Sequence, residues 1–161
     1  LERGGSDAYL CVSNTLHRVA ETFTQGRSIP FLHIVDATGA AIRARGLQRV
    51  ALLGTKPVMA TDYLQRRYAE HYGIETLVPD AQGQDDVDRI IFDELCRGRF
   101  LPESKARYLA IVDELASRGA EGVILGCTEI PLLIQQPDRP ALPFFDTVEL
   151  HVEAAVAFAL G

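Results

Sequence analysis

The chain has 161 residues, enough for one hydrophobic core or for one domain with part of a second. Its net charge of −6 and isoelectric point near 5.2 argue against nucleic-acid binding, and no apolar run approaches the ~18 residues of a membrane span. The three cysteines form no Cys-x-x-Cys pair, so we predict neither a disulfide framework nor a zinc site and expect a reducing, cytoplasmic setting.

Apolar runs, capping residues and glycines divide the chain into alternating strands and helices. In chain order, the predicted elements are a strand at 8–12, a helix at 16–23, an apolar segment at 29–35, a helix capped by Asp36 and ending at Gly46, a strand at 49–53, a helix at 61–72, a strand at 75–78, helices at 85–96 and 102–118, a strand at 123–125, a short helical piece at 130–134 and a last helix at 147–160. Four helices stop just before a glycine, at 46, 73, 98 and 119, which is typical of a left-handed C-terminal cap. The alternation predicts an α/β fold of parallel sheets with helices on both faces.

Side chains capable of acid/base or nucleophilic chemistry follow the predicted strand at 123–125. Cys127, Thr128 and Glu129 come directly after it, and the carboxyl ends of parallel strands are where ligands bind in open sheets. A cysteine beside a hydroxyl and a carboxylate at such a place is a candidate reactive thiol, although a structural role is the alternative for a single strand-end cysteine. Ser13 and Asn14 follow the strand at 8–12 in the same way, so two strand ends facing each other could flank one small ligand.

These strings resemble motifs of the aspartate/glutamate racemases, within the Asp/Glu/hydantoin racemase superfamily. Gly-Val-Ile-Leu-Gly-Cys-Thr-Glu-Ile-Pro-Leu-Leu-Ile at 122–134 resembles the second active-site motif, and Ser-Asn-Thr-Leu-His at 13–17 resembles the first. Leu-Leu-Gly-Thr at 52–55 is similar to the middle Leu-Gly-Thr segment of the family. The stretches at 93–98 and 145–147 also fit, so the likeness extends over nearly all of the chain.

The resemblance implies two similar α/β domains with the active site between them, no cofactor and an acidic amino acid as the substrate. Family members are longer, and this chain opens on Leu1 with Met59 as its only methionine, so we expect that the first ~70 residues of the fold are absent. On this view residues 1–28 and 140–161 form the remnant of the first domain, and residues 29–139 form the second. The uncovered strand at 8–12 would expose an apolar edge, for which a homodimer is one expected outcome.

Racemisation removes the α-proton on one face and returns a proton on the other, so two acid/base groups must flank the α-carbon. By resemblance, Cys127 is the base on one face, and a lowered thiol pKa would suit that role. Ser13 stands where the commoner family motif has a second cysteine, and a hydroxyl is a far weaker acid than a thiol. The side chains implied in substrate binding are Asn14, Thr15, Thr55, Thr128, Glu129, which could orient the ammonium group, and Arg97, which could hold a side-chain carboxylate.

The other nucleophilic and basic side chains are assigned structural roles. Cys96 lies in a predicted helix and is interpreted as core. For His17 a surface or capping role competes with a catalytic one, and His33, His71 and His151 show no metal-ligand spacing.

Two further functions stay open at this point. One is a related one-thiol enzyme, a decarboxylase or cis-trans isomerase of a dicarboxylic acid, which Ser13 would suit. The other is a small-molecule-binding domain whose catalytic site has decayed.

Overall fold

The computed structural model describes all residues from Leu1 to Gly161. Its strands are β1 (Tyr9–Leu10), β2 (Phe31–Leu32), β3 (Arg49–Gly54), β4 (Glu75–Leu77), β5 (Val123–Gly126) and β6 (Phe144–Asp146). Its α-helices are α1 (Ala20–Thr24), α2 (Ile34–Ala44), α3 (Lys56–Ala60), α4 (Tyr63–Tyr72), α5 (Ala81–Asp93), α6 (Pro102–Ser117) and α7 (Thr147–Leu160). Short 3-10 turns lie at Glu2–Gly4, Thr15–Val19, Leu95–Arg97, Ile130–Leu132 and Gln136–Asp138.

The strands form two parallel sheets, which confirms the predicted fold class. Four strands make the larger sheet in the order β4-β3-β5-β6, and β1 pairs with β2 in a small one. In the central pair, Ala51 lies opposite Val123 and Gly54 opposite Gly126, so both strands end at the same level. No helix combines the length and the apolar character that a membrane crossing requires.

The central strands β3 and β5 hold the molecule together because both of their faces are buried. Ala51 and Leu53 of β3 belong to the apolar cluster under α5 and α6, whereas Val50 and Leu52 belong to the cluster under α2 and α4. All four side chains have no solvent exposure. This alternation follows from the two-residue period of a strand. Because both faces are buried, the sequence runs at 50–53 and 123–125 carry no polar residues.

The observed C-termini of the helices agree with the predicted ones more closely than the observed N-termini do. The four glycines at 46, 73, 98 and 119 have φ between 62° and 98°, as predicted for left-handed caps. The predicted cap of α2 is wrong, because His33 rather than Asp36 caps it: the backbone N–H of Val35 donates to His33 Nδ1 at 3.1 Å. The Asp36 carboxylate instead accepts two hydrogen bonds from Arg67.

Three elements depart from the predicted pattern. The helix predicted at 85–96 begins at Ala81, capped by Asp80, and ends at Asp93. α3 lies in a stretch for which no helix was predicted. β6 lies just before the last helix, where no strand was predicted, and its three residues pair with β5.

Two strand pairings join residues that were predicted to belong to different domains. β2 pairs with β1, although residue 29 was expected to open the second domain, and β6 pairs with β5, although residue 140 was expected to return to the first. α7, which directly follows β6, packs against α2 and reaches β2. The elements at both ends of the chain are therefore joined to the larger sheet through α2 and α7.

Candidate active site

A cleft of about 250 Å³ opens where β1, β3 and β5 end. Its walls come from the segment after β1, the first residue after β3, the turn after β5, the end of α5 and the 3-10 turn that follows α5. The lining residues are Val12, Ser13, Asn14, Thr15, Thr55, Ile91, Phe92, Cys96, Gly126, Cys127, Thr128 and Glu129. A cleft of this size suits a molecule as small as a single amino acid.

The cleft brings together seven of the eight side chains named from the sequence, and the eighth, Arg97, lies outside it. The Arg97 side chain is 65% exposed, and its guanidinium lies 3.4 Å from a carboxylate oxygen of Asp93, four residues earlier. Cys96 was predicted to be core, and that prediction is wrong because the side chain is exposed and lines the cleft. α5 ends at Asp93, and the tighter turn that follows buries Leu95 and turns Cys96 outward.

Cys127 and Glu129 form the polar centre of the cleft. The Cys127 thiol donates a hydrogen bond to Glu129 Oε2 at 3.0 Å, and the Thr128 hydroxyl donates to the same oxygen. Burial first, and then the hydrogen bond to the Glu129 carboxylate, raise the pKa of the Cys127 thiol to about 12. Burial alone would raise the pKa of Glu129, but the hydrogen bonds from Thr128 and Cys127 outweigh it and lower that pKa.

The expected lowering of the Cys127 pKa is therefore wrong for this state of the cleft. Its cause would have been a helix N-terminus or nearby donors, whereas the group that actually faces the sulfur is an acceptor with a negative charge. A carboxylate at this distance stabilises the neutral thiol and disfavours the thiolate. In this structure Cys127 is a protonated acid, held by a group that itself stays ionised.

His17 fixes the position of the Ser13 segment. Its Nδ1–H donates to the Ser13 carbonyl at 2.7 Å, and its Nε2 accepts the backbone N–H of Ile34 at 3.2 Å. His17 is buried, which corrects the surface interpretation, and burial lowers its pKa. Both ring nitrogens are occupied in the neutral form, so this histidine ties the cleft to the first turn of α2. The Ser13 hydroxyl oxygen accepts the backbone N–H of Leu16 at 3.3 Å.

Asn14 connects the same segment to the larger sheet. Its side-chain amide donates to Thr147 Oγ1 at 2.9 Å, and that hydroxyl donates to the Leu125 carbonyl at 3.0 Å. Asn14 Oδ1 is buried and has no hydrogen-bond partner in the protein, so it keeps an acceptor in a side chain that lines the cleft. The next residue, Thr15, links this segment to the end of β3, because the hydroxyls of Thr15 and Thr55 lie 3.0 Å apart and share a hydrogen bond.

Two glycines let the strand ends approach each other beneath the cleft. A Cβ at Gly54 would lie 2.8 Å from the Gly126 carbonyl, and a Cβ at Gly126 would lie 2.7 Å from the Leu53 carbonyl. Neither position has room for a side chain, which gives the Gly residues before Thr55 and Cys127 a packing reason.

Proteins of one family resemble the chain in sequence and in fold. The family model for Asp/Glu/hydantoin racemase matches residues 1–155. The chain belongs to this family. It superposes on a candidate Asp/Glu racemase from Yersinia pestis with a TM-score of 0.94 and 36% identity. This match covers 99% of the chain and 69% of that protein. It also superposes on an aspartate racemase homologue from Pyrococcus horikoshii with a TM-score of 0.89 and 35% identity. This match covers 99% of the chain and 70% of that protein.

One sequence relative is named for an enzyme activity. The chain is 24% identical over 161 residues to the broad specificity amino-acid racemase RacX from Bacillus subtilis, and it covers 68% of that protein. These relatives are thus longer than the chain, which spans about seven-tenths of each. Membership of the Asp/Glu/hydantoin racemase family supports amino-acid racemase activity, an isomerase reaction.

Proposed function

We propose that this cleft racemises an α-amino acid by proton exchange at the α-carbon, with Cys127 as the acid/base group on one face. The observation that carries the proposal is the half-buried Cys127 thiol, which is hydrogen-bonded to Glu129 and lines the same small cleft as the Ser13 segment. Proton exchange needs acid/base groups and donors for a developing negative charge, and the side chains of the cleft are of both kinds. No step of the proposal passes through a cofactor.

The resting thiol must be able to become a thiolate when it takes the α-proton. A substrate ammonium group bound at Glu129 would offset the negative charge that helps to hold the thiol protonated. Asn14 Oδ1, buried and unpartnered in a residue that lines the same cleft, keeps an acceptor for which the protein supplies no donor. Substrate binding itself therefore lowers the pKa of Cys127, so the free thiol stays protected until an amino acid arrives.

Ser13 makes the two faces of the substrate unequal. Its hydroxyl can relay a proton, but at neutral pH it cannot hold the resting negative charge that a thiolate can. We therefore expect efficient proton removal only from the enantiomer whose α-hydrogen points at Cys127, and by resemblance we assign this to the L form. Ser13→Cys should raise exchange from the opposite enantiomer and leave the first direction nearly unchanged.

A second candidate function is favoured by the same serine. A decarboxylase or cis-trans isomerase of a dicarboxylic acid needs only one thiol, and Ser13 leaves Cys127 as the thiol that faces Glu129. Consumption of a dicarboxylic acid without α-proton exchange on any amino acid would favour this second function over racemisation.

The test is incorporation of deuterium from D2O at the α-carbon of separate L- and D-amino acids, followed by NMR. Cys127→Ala should abolish exchange. Cys96→Ala is the matched control, because it removes another thiol from the same cleft and should leave exchange in place. A Cys127→Ala protein that exchanges at the wild-type rate would refute the assignment of Cys127.

The expected acidic substrate is a separate matter from the reaction. Aspartate and glutamate follow from the family resemblance, with Arg97 as the side chain that would hold the second carboxylate. Because Arg97 lies outside the cleft, the identity of the substrate side chain has to be argued from the residues that do line it.

A further inference from the structure

His17 lies between the Ser13 segment and the first turn of α2, and its ring bonds to both. The residue belongs to the 3-10 turn Thr15–Val19, is 4% exposed and does not line the cleft. Because Nδ1–H donates to the Ser13 carbonyl at 2.7 Å, Nε2 carries no proton and accepts the backbone N–H of Ile34 at 3.2 Å. A single neutral imidazole therefore holds the residue that carries the Ser13 hydroxyl against the N-terminus of α2.

The N-terminus of α2 disfavours a positive charge on the two histidines that cap it. Its first two backbone N–H groups are taken up by neighbouring rings, since Ile34 donates to His17 and Val35 donates to His33 Nδ1 at 3.1 Å. The centroids of these two rings are 4.3 Å apart. A second proton on His17 would remove the acceptor for Ile34 and place a cation at the positive end of the helix dipole. The link between the Ser13 segment and α2 therefore exists only while His17 is neutral.

The groups that face the His17 ring leave no unmatched negative charge beside it. They are His33 and Asp36 at the start of α2, Arg67 of α4 and His151 of α7. The Asp36 carboxylate accepts two hydrogen bonds from Arg67, so its charge is already matched. The His151 ring centroid is 6.2 Å from that of His17, and protons on both rings would set two cations side by side. Burial above all lowers the pKa of His17, and its hydrogen bond to the backbone opposes this only in part.

The other ionisable side chains near the ring line a surface depression beside it. They are Arg18, Glu21, Tyr63, Arg66, Glu70 and His71. All except Tyr63 are exposed, so solvent screens their charges. Burial raises the pKa of Tyr63 to about 12, so the hydrogen bond that its hydroxyl donates to the Asn14 carbonyl at 3.1 Å does not respond to acid. Of these two anchors of the segment, His17 is the one that a proton would release.

We propose that His17 is a positioning residue for the Ser13 half of the reaction and that it acts only in its neutral form. The carbonyl that His17 holds and the hydroxyl that would relay a proton belong to the same residue, so loss of the link displaces the hydroxyl. Cys127 follows β5 and has no bond to His17, so proton removal at Cys127 should not depend on it. The inference rests on the proposed racemase function and adds a residue that acts through Ser13 without touching the substrate.

The test separates the two halves of the reaction with L-aspartate and L-glutamate in D2O. Incorporation of α-deuterium counts proton removal at Cys127, and formation of the D enantiomer counts proton return on the Ser13 face. His17→Phe keeps a flat ring without nitrogens and should lower inversion by about 10- to 100-fold, the cost of misplacing a catalytic group by about 1 Å, while exchange changes by less than about threefold. His17→Gln, which carries a donor and an acceptor, should restore most of the inversion. His71→Gln, an exposed histidine of α4, is the matched control and should behave as wild type.

A double-mutant cycle distinguishes positioning from general damage to the fold. Ser13→Ala removes the relay hydroxyl, so His17→Phe added to it should lower inversion no further, because both substitutions remove the same contribution. A further loss of about tenfold in the double variant would show an effect of His17 that does not pass through Ser13, and would overturn the proposal.

Acid should act like the substitution. As the pH falls from 7 to 4, the ratio of inversion to exchange should fall for the wild-type chain and stay level for His17→Gln, which has no titrating ring. Over the same interval the protection of the Ile34 amide against hydrogen exchange, followed by NMR, should fall more in the wild-type chain than in His17→Gln. This second readout needs no activity.

Each remaining outcome decides between the two proposals. Equal loss of exchange and inversion in His17→Phe, or a wild-type ratio that does not change with pH, would overturn the positioning role and leave the racemase proposal standing. Exchange without inversion in the wild-type chain would overturn the relay role of Ser13 and the inference with it. Absence of exchange with both amino acids would overturn the racemase proposal itself, and the positioning role would fall with it.

Discussion

His33 should make the stability of this chain depend on pH in a way that one substitution removes. It caps α2 through Nδ1, which accepts the Val35 N–H at 3.1 Å, so the ring is held in its neutral form. Burial, followed by the nearby His17, lowers the pKa of His33 from 6.5 to about 3. His33→Asn keeps a side-chain acceptor at the cap position but removes the titrating ring.

The sign and size of the effect follow from proton linkage. Below pH 6.5 the unfolded chain binds a proton at His33, whereas the folded chain does not until the pH nears 3. The stabilisation is therefore complete above pH 6.5 and is lost as the pH falls from there toward 3. Between pH 7 and pH 5 the loss is about 2 kcal/mol, at about 1.4 kcal/mol per pKa unit. This is an upper value, because the ring is partly accessible to solvent, which screens charge.

Urea unfolding of both proteins at pH 7 and pH 5 measures the effect. The free energy of unfolding should fall by up to about 2 kcal/mol more for the wild-type chain than for His33→Asn over that interval. Carboxylates that titrate in the same range affect both proteins equally, so the difference isolates His33. His71→Asn, which removes an exposed histidine from α4, should follow the wild-type curve. Parallel pH dependence of wild type and His33→Asn would refute the reasoning.

Three further substitutions test the cleft and the packing beneath it. Glu129→Gln keeps an acceptor for the thiol but removes the charge, so Cys127 should be alkylated by iodoacetamide faster than in wild type at pH 8; an unchanged rate would leave burial as the sole cause of the raised pKa. Thr147→Val removes a hydroxyl that makes two buried hydrogen bonds and should lower the free energy of unfolding by about 1–3 kcal/mol, measured in urea. Gly54→Ala places a methyl group against the Gly126 carbonyl and should lower the free energy of unfolding by about 1–3 kcal/mol, seen as a lower midpoint of thermal unfolding. A midpoint equal to that of wild type would show that the strand ends can separate without cost.

The sheet could be predicted from sequence because the runs at 50–53 and 123–125 of its central strands are buried on both faces and carry no polar residue. β6 escaped prediction because a strand of three residues between Pro143 and the start of α7 has too short a pattern to recognise, and only its pairing with β5 makes it a strand. The start of α2 was misplaced because histidine is not among the favoured capping side chains, while Asp36 is of a favoured type. Which acceptor caps a helix depends on what else each side chain contacts, and Arg67 holds Asp36.

The members of the cleft were predictable as a group, since polar residues after parallel strands meet at one edge of the sheet. Their chemical states were not. The raised pKa of Cys127 depends on burial and on the rotamer of Glu129, and neither can be read from the spacing of two residues. Cys96 was missed as a lining residue because the helix pattern continues past Asp93, whereas the actual helix ends there and the following 3-10 turn changes which side chains face outward.

If the cleft binds an amino acid as proposed, the spacing of Cys127 and Glu129 links that binding to the acidity of the thiol. Two residues apart after the end of β5, they place a carboxylate oxygen 3.0 Å from the sulfur, where it stabilises the neutral thiol. The same carboxylate is the charged group that an amino-acid ammonium meets on entering the cleft. An ammonium there weakens the hold of Glu129 on the thiol proton, whereas a ligand without a cation leaves that hold in place. An α-amino acid should therefore activate Cys127, and a keto acid of the same shape should bind without doing so, which iodoacetamide labelling in the presence of each would show.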